Sequence, residues 1–175
     1  MDKPYNPDEE NRGKIFEIIL PGGETLRAVP RVELYSVIDF MGKKMPGLAL
    51  TLCPVDPESG KVCEDEYTAL TVSFGEFIGR KNAAYIDVNN NPFYGQILTG
   101  DIAKNTGLIK HSGFCVYPLY VFSEDFLKSC GGENYQTYSD AYDEYMRAAF
   151  SPYDYEDEEE TESCSPDGMS MENRS

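Results

Sequence analysis

Along this chain the apolar positions fall first into short β-like runs and only later into a helical stripe. Lys14 to Leu20 is an apolar, β-branched run stopped by Pro21-Gly22-Gly23. Apolar residues return at 26, 28, 32 and 34, so the two segments predict a hairpin about the Pro-Gly-Gly turn. Pro30 lacks a ladder donor, which predicts an edge strand or a bent one. Met41 to Gly47 reads as a loop. Leu48–Cys53 and Tyr67–Phe74 read as strands joined across the turn signal Asp56-Pro57-Glu58-Ser59-Gly60, a second hairpin with a long tip.

Ala83–Val88 is a short strand running into Asn89-Asn90-Asn91-Pro92. Pro92 after an Asn cap predicts a helix to Leu98, ended by Gly100. Gly107–Gly113 reads as loop. Phe114–Phe122 is the most apolar stretch of the chain, a buried strand kinked at Pro118. Ser123-Glu124-Asp125-Phe126 opens a brief helix stopped by Gly131-Gly132. The expected fold class is α+β: a mainly antiparallel sheet of about five or six strands with one or two short helices over residues 14–132. No internal repeat is present.

Beyond residue 132 the period changes. Tyr138, Tyr142, Tyr145 and Ala149 fall at i, i+4, i+7 and i+11, one face of a helix over 133–150. Thr137 or Ser139 is its candidate cap, and Asp140, Asp143 and Glu144 lie early, where the helix dipole favours anions. Two readings stand open. The aromatic stripe docks on the chain's own domain, the usual fate of an amphipathic helix, or it forms a free interaction helix. Residues 1–13 read as a disordered arm, and 151–175 as an acidic disordered tail.

Charge sharpens this picture. The formal net charge is −16, and residues 133–175 hold 13 acids against Arg147 and Arg174. Charge of this kind disfavours phosphate backbones and suits basic surfaces, including those that normally hold nucleic acid. Composition adds 13 Tyr, 9 Phe and no Trp, enough for one modest core. The opening residues form no apolar leader, and no apolar run approaches the roughly 20 residues of a membrane helix. A cytoplasmic location with reduced thiols is therefore expected, with no membrane partner.

Candidate chemistry is sparse. His111 is the only histidine, so a His-rich metal site is excluded. A Cys115–His111 nucleophilic pair needs the two side by side, yet residues four apart in a strand stand about 13 Å apart. Cys53 and Cys63 lie ten residues apart without a second C-x-x-C pair, too little for a zinc site, though hairpin neighbours of this kind can meet and oxidise. Asp87-Val88-Asn89-Asn90-Asn91 opens like a calcium loop, but Pro92 replaces the required glycine and Leu98 the bidentate Glu. No phosphate-loop or dinucleotide fingerprint occurs. No cofactor, metal or catalytic residue is predicted, and a non-enzyme is expected.

Tyr85 to Pro92, Asn105-Thr106-Gly107 and Ser112 to Phe122, with its Gly-Phe-Cys-x-Tyr-Pro-Leu-Tyr segment, resemble a family of small acidic accessory proteins. That family is found on conjugative elements and phages of gut Firmicutes. The likeness covers about residues 14–128 and carries no site residues. It implies a neighbourhood where anti-restriction and anti-CRISPR proteins are common. The expected function is a non-enzymatic inhibitor that presents an acidic surface, in place of nucleic acid, to the basic surface of a host nuclease or restriction complex. The expected contact residues are Tyr135, Tyr138, Asp140, Tyr142, Asp143, Glu144, Tyr145, Asp154, Tyr155, Glu156, Asp157 and Glu158. The alternative is an adaptor in plasmid or conjugative-element maintenance, using a sheet edge or the Tyr helix.

Overall fold

The structure is a computed structural model that describes residues 15–150. The predicted arm at 1–13 and acidic tail at 151–175 lie outside the described residues. Among the described residues eight strands run as β1 (Phe16–Ile19), β2 (Thr25–Ile38), β3 (Lys44–Pro54), β4 (Thr68–Ala69), β5 (Thr71–Val72), β6 (Ala83–Ile86), β7 (Ala103–Ser112) and β8 (Cys115–Phe122). One helix, α1 (Glu124–Phe150), follows. The strands form two antiparallel four-stranded sheets, ordered β1-β2-β3-β4 and β5-β6-β8-β7. The fold is α+β as expected, with two sheets rather than one of five or six strands.

Both predicted hairpins form. Ile19 pairs with Thr25 across Pro-Gly-Gly, and β3 returns to β4 past the long tip. The run Tyr67–Phe74 is not one strand, because Leu70 hands the chain from one sheet to the other. Its amide donates to Leu50 O (2.9 Å) in the first sheet, and its carbonyl accepts from the Asp87 amide (2.9 Å) beside the second. Leu70 itself is buried. A sequence window sees a continuous run of Thr, Ala, Leu and Val about Leu70, and only the pairing partners reveal the break.

β2 is an inner strand, which corrects the edge reading of Pro30. The Val55 amide donates to Arg27 O (2.8 Å), so odd-numbered β2 residues form the hydrogen-bonded pairs with β3. Pro30, opposite Leu52, turns its missing donor away from β3, beyond the point where β1 pairing stops at Ala28. The expected helix from Pro92 to Leu98 is only a 3-10 turn at Tyr94–Gln96. Tertiary bonds hold it: the Gln96 carboxamide both donates to Ile19 O (2.9 Å) and accepts from Ile19 N (2.9 Å). Gln96 thereby closes the outer edge of β1.

The expected loop Gly107–Gly113 is instead most of β7. Its ladder with β8 breaks between Asn105 and Ile109 and resumes at Ile109↔Pro118. Side chains fill the break: Thr106 Oγ1 donates to Leu119 O (2.9 Å) and accepts from Leu108 N (3.1 Å). The β7–β8 turn is two residues, Gly113-Phe114. Gly113 supplies the positive φ (61°) that the first central position of a type II′ turn requires.

α1 opens where Ser123 Oγ accepts from the Phe126 amide (3.3 Å), with Glu124 and Asp125 in the first turn. Gly132 (φ 51°, ψ −129°) leaves the helical region, so α1 is two helical segments joined at a kink: the predicted brief helix stops there and the Tyr-rich helix follows. Thr137 and Ser139 are helix-interior residues and not its cap. The chain divides into two compact units, Met1–Ala141 and Tyr142–Ser175. The first unit's core includes Ile18, Val32, Leu50, Leu52, Ile86, Phe122, Leu127, Tyr135 and Tyr138.

Candidate protein-binding surface

Within the first unit, the tyrosine stripe docks on its own domain. The Tyr135 hydroxyl donates to Asn82 Oδ1 (2.8 Å), and the Asn82 amide donates to Tyr138 Oη (3.0 Å). Asn82 holds a left-handed backbone (φ 68°) that asparagine tolerates better than most residues, and its carbonyl accepts from the Phe122 amide (2.8 Å). The two tyrosines thus pin the entry to β6. The Tyr135 and Tyr138 rings sit 6.0 Å apart and are 1% and 2% exposed. Burial holds the Tyr135 phenol above its usual range.

Two further contacts fix the helix. The Asn134 carboxamide donates to Val32 O (2.9 Å) in β2. Gly131 lies so close that an added Cβ falls 2.6 Å from Tyr135 Cβ and 2.9 Å from Val32 Cγ2. The aromatic side chains expected to anchor a partner, Tyr135 and Tyr138, are therefore core residues, which corrects their assignment as contacts. Tyr142 is also buried, and Tyr145 half-buried.

The acids have the opposite placement. Glu124, Asp125, Glu133 and Asp140 of the first unit are exposed, as are Asp143 and Glu144 of the second. Asp140 accepts from Gln136 Nε2 (2.9 Å), and Glu124 pairs with Lys128 (3.1 Å). Asp154, Tyr155, Glu156, Asp157 and Glu158 lie outside the described residues. An open groove of about 670 Å³ beside the kink is lined by Arg31, Lys128, Ser129, Glu133 and Asn134. Its cations are already engaged, Arg31 with Glu33 (3.1 Å) and Lys128 with Glu124.

The enzymatic alternatives lose their geometry. His111 pairs with Val116 and Ser112 with Cys115, so the pleat places His111 and Cys115 on opposite faces of the hairpin. Cys53 is buried and Cys63 exposed, and both are free thiols. Burial, partly offset by Arg31, pushes the Cys53 thiol up, away from a reactive thiolate. The asparagine run is structural. Asn91 is fully buried; Nδ2 donates to Ala69 O (3.0 Å) and Asp87 O (2.8 Å), while Oδ1 accepts from Thr68 Oγ1 (3.0 Å). Among the described residues no cluster of three His, Cys, Asp or Glu is placed to hold a metal. No helix among them is long and apolar enough to cross a membrane.

One surface escaped the sequence reading. The β7–β8 hairpin exposes Leu108 (62%), Ile109 (53%), Val116 (37%) and Phe114, which stands wholly in solvent. A visible signal existed: residues 102–123 contain no Asp or Glu in a chain with 31. No protein-family model, curated protein or solved structure matches this chain.

Proposed function

We propose that this chain is a non-enzymatic inhibitor, of mobile-element origin, that blocks a host nucleic-acid-handling complex by offering carboxylates to its Lys/Arg-lined surface. One observation carries the reading: in the first unit's part of α1, Tyr135 and Tyr138 are buried while Glu124, Asp125, Glu133 and Asp140 are exposed. Glu133 and Asp140 stand two turns apart on one side of the helix, about 10 Å, and the sequence after residue 150 adds nine more acids. Such a density of exposed carboxylates suits a Lys/Arg-lined channel through charge rather than through a match to phosphate spacing. With Tyr135 and Tyr138 engaged in the core, recognition is electrostatic and strongly dependent on salt.

The test is cleavage of DNA by purified restriction and RNA-guided nucleases with the intact chain added. Cleavage should fall with protein dose and recover as NaCl rises. Changing Asp140, Asp143, Glu144 and the acids from Asp154 to Glu162 to Asn and Gln should abolish the effect. Equal inhibition by that variant at low salt would sink the electrostatic reading. A second reading, an adaptor in element maintenance, draws on the exposed apolar hairpin and predicts binding insensitive to salt.

A further inference from the structure

We infer that the uncovered face of the β7–β8 hairpin is a self-association surface, which takes the same face of a second copy of this chain. The hairpin's two faces are treated differently. On one, Lys110 and Tyr117 lie under a neighbouring segment: Phe74 packs edge-on against Tyr117 (centroids 5.0 Å apart), Lys110 Nζ sits 5.4 Å from the Phe74 ring centre, and Lys110 pairs with Glu76 (2.7 Å). The register places Ile109, His111 and Val116 together on the other face, with Ile109 diagonal to Val116. Ile109 and Val116 are exposed there, and Phe114 projects from the turn at the hairpin's end.

Charge selects the occupant. A chain of net charge −16 repels its own copies almost everywhere. Residues 102–123 form the longest acid-free span: they carry no acid, two lysines and the sole histidine. Two copies meeting through this hairpin bring apolar side chains together without opposing carboxylates. A two-fold arrangement is the simplest, because one patch then serves both partners. Ile109 and Val116, with Phe114 at the tip, form the apolar centre of the patch, and a standard interface of roughly 800 Å² per partner surrounds such a centre with a polar rim. The bulge at Asn105–Ile109 and the outward Lys104 oppose open-ended strand-to-strand pairing along β7, so the contact closes as a face-to-face dimer.

Sedimentation equilibrium on the intact chain at 0.05 and 0.5 M NaCl tests this. A concentration-dependent dimer is expected, tighter at high salt because screening removes the net repulsion. Phe114→Ser and Ile109→Glu should each weaken it at least tenfold while leaving the melting temperature unchanged. Neutralising the helix acids should strengthen it, the reverse of their effect on the proposed inhibition. A chain monomeric at all concentrations in 0.5 M NaCl overturns the inference and leaves the face to a different protein. A dimer that persists in Ile109→Glu also overturns it, since the contact then lies elsewhere. Neither result touches the inhibition proposal, whose readout is nuclease activity.

Discussion

The β7–β8 hairpin and helix α1 adjoin in sequence and solve opposite problems. The hairpin carries no acid, yet leaves Ile109, Phe114 and Val116 in water. The helix carries six acids and leaves Tyr135 and Tyr138 nearly inaccessible. Each could pass for an interaction element on composition, but the chemistry it offers differs. The helix presents charge and holds position through tyrosine hydroxyls. The hairpin presents apolar surface and holds position through backbone ladders and the Phe74 cover. Residue content says little about which chemistry faces outward; pairing and burial decide it.

The comparison can be broken most severely at the helix's closest approach. Gly131→Val should clash with Val32 and Tyr135 and cost about 3 kcal/mol, read as a fall of roughly 6–12 °C in melting temperature. Next is Asn82→Ala, which removes the acceptor for Tyr135 and places a less tolerant residue at positive φ. A loss of about 2 kcal/mol is expected, with Asn82→Gly losing less because it keeps the backbone conformation. Calorimetry on both variants separates the hydrogen bond from the strain.

Smaller effects sharpen the contrast. Asp140→Asn with Asp143→Asn and Glu144→Gln should shift stability by no more than about 0.5 kcal/mol, since all three side chains are exposed. The same triple change should weaken inhibition measurably. The smallest effect concerns alkali. The folded Tyr135 phenol titrates above its ordinary 10.0, so the unfolded chain releases that proton first. Its stabilising contribution is complete below pH 10 and declines as pH rises through the folded value. Tyr135→Phe should flatten that alkaline decline, as a pH series of denaturant midpoints would show.

Much of the fold was legible where local signals agree with tertiary pairing. The β-branched run at Lys14–Leu20 and its Pro-Gly-Gly turn specify one hairpin, and the period of the tyrosines specifies a helix. Failures came where long-range partners rule. β7 is polar over Lys104–Gly107 and bounded by glycines, so its strand character depends on β8 and on Thr106 bridging the bulge. Leu70 looks like the middle of a strand and is a crossing between sheets. The tyrosine stripe gave the helix and the buried Tyr138 and Tyr142, although its last member Ala149 is exposed; the acceptor that fixes Tyr135, Asn82, lies more than fifty residues away with no local mark. The acid-free span 102–123 is legible from composition alone, whereas which of its side chains stay uncovered depends on the pairing of β7 with β8.

The most direct test of the account is the salt dependence of inhibition, comparing the intact chain with its acid-neutralised form on one susceptible nuclease. The account predicts inhibition that weakens steeply between about 0.05 and 0.5 M NaCl, as screening shortens to a few ångströms, and that vanishes when the acids are neutralised. Inhibition that is flat with salt and intact in the neutralised chain would contradict it.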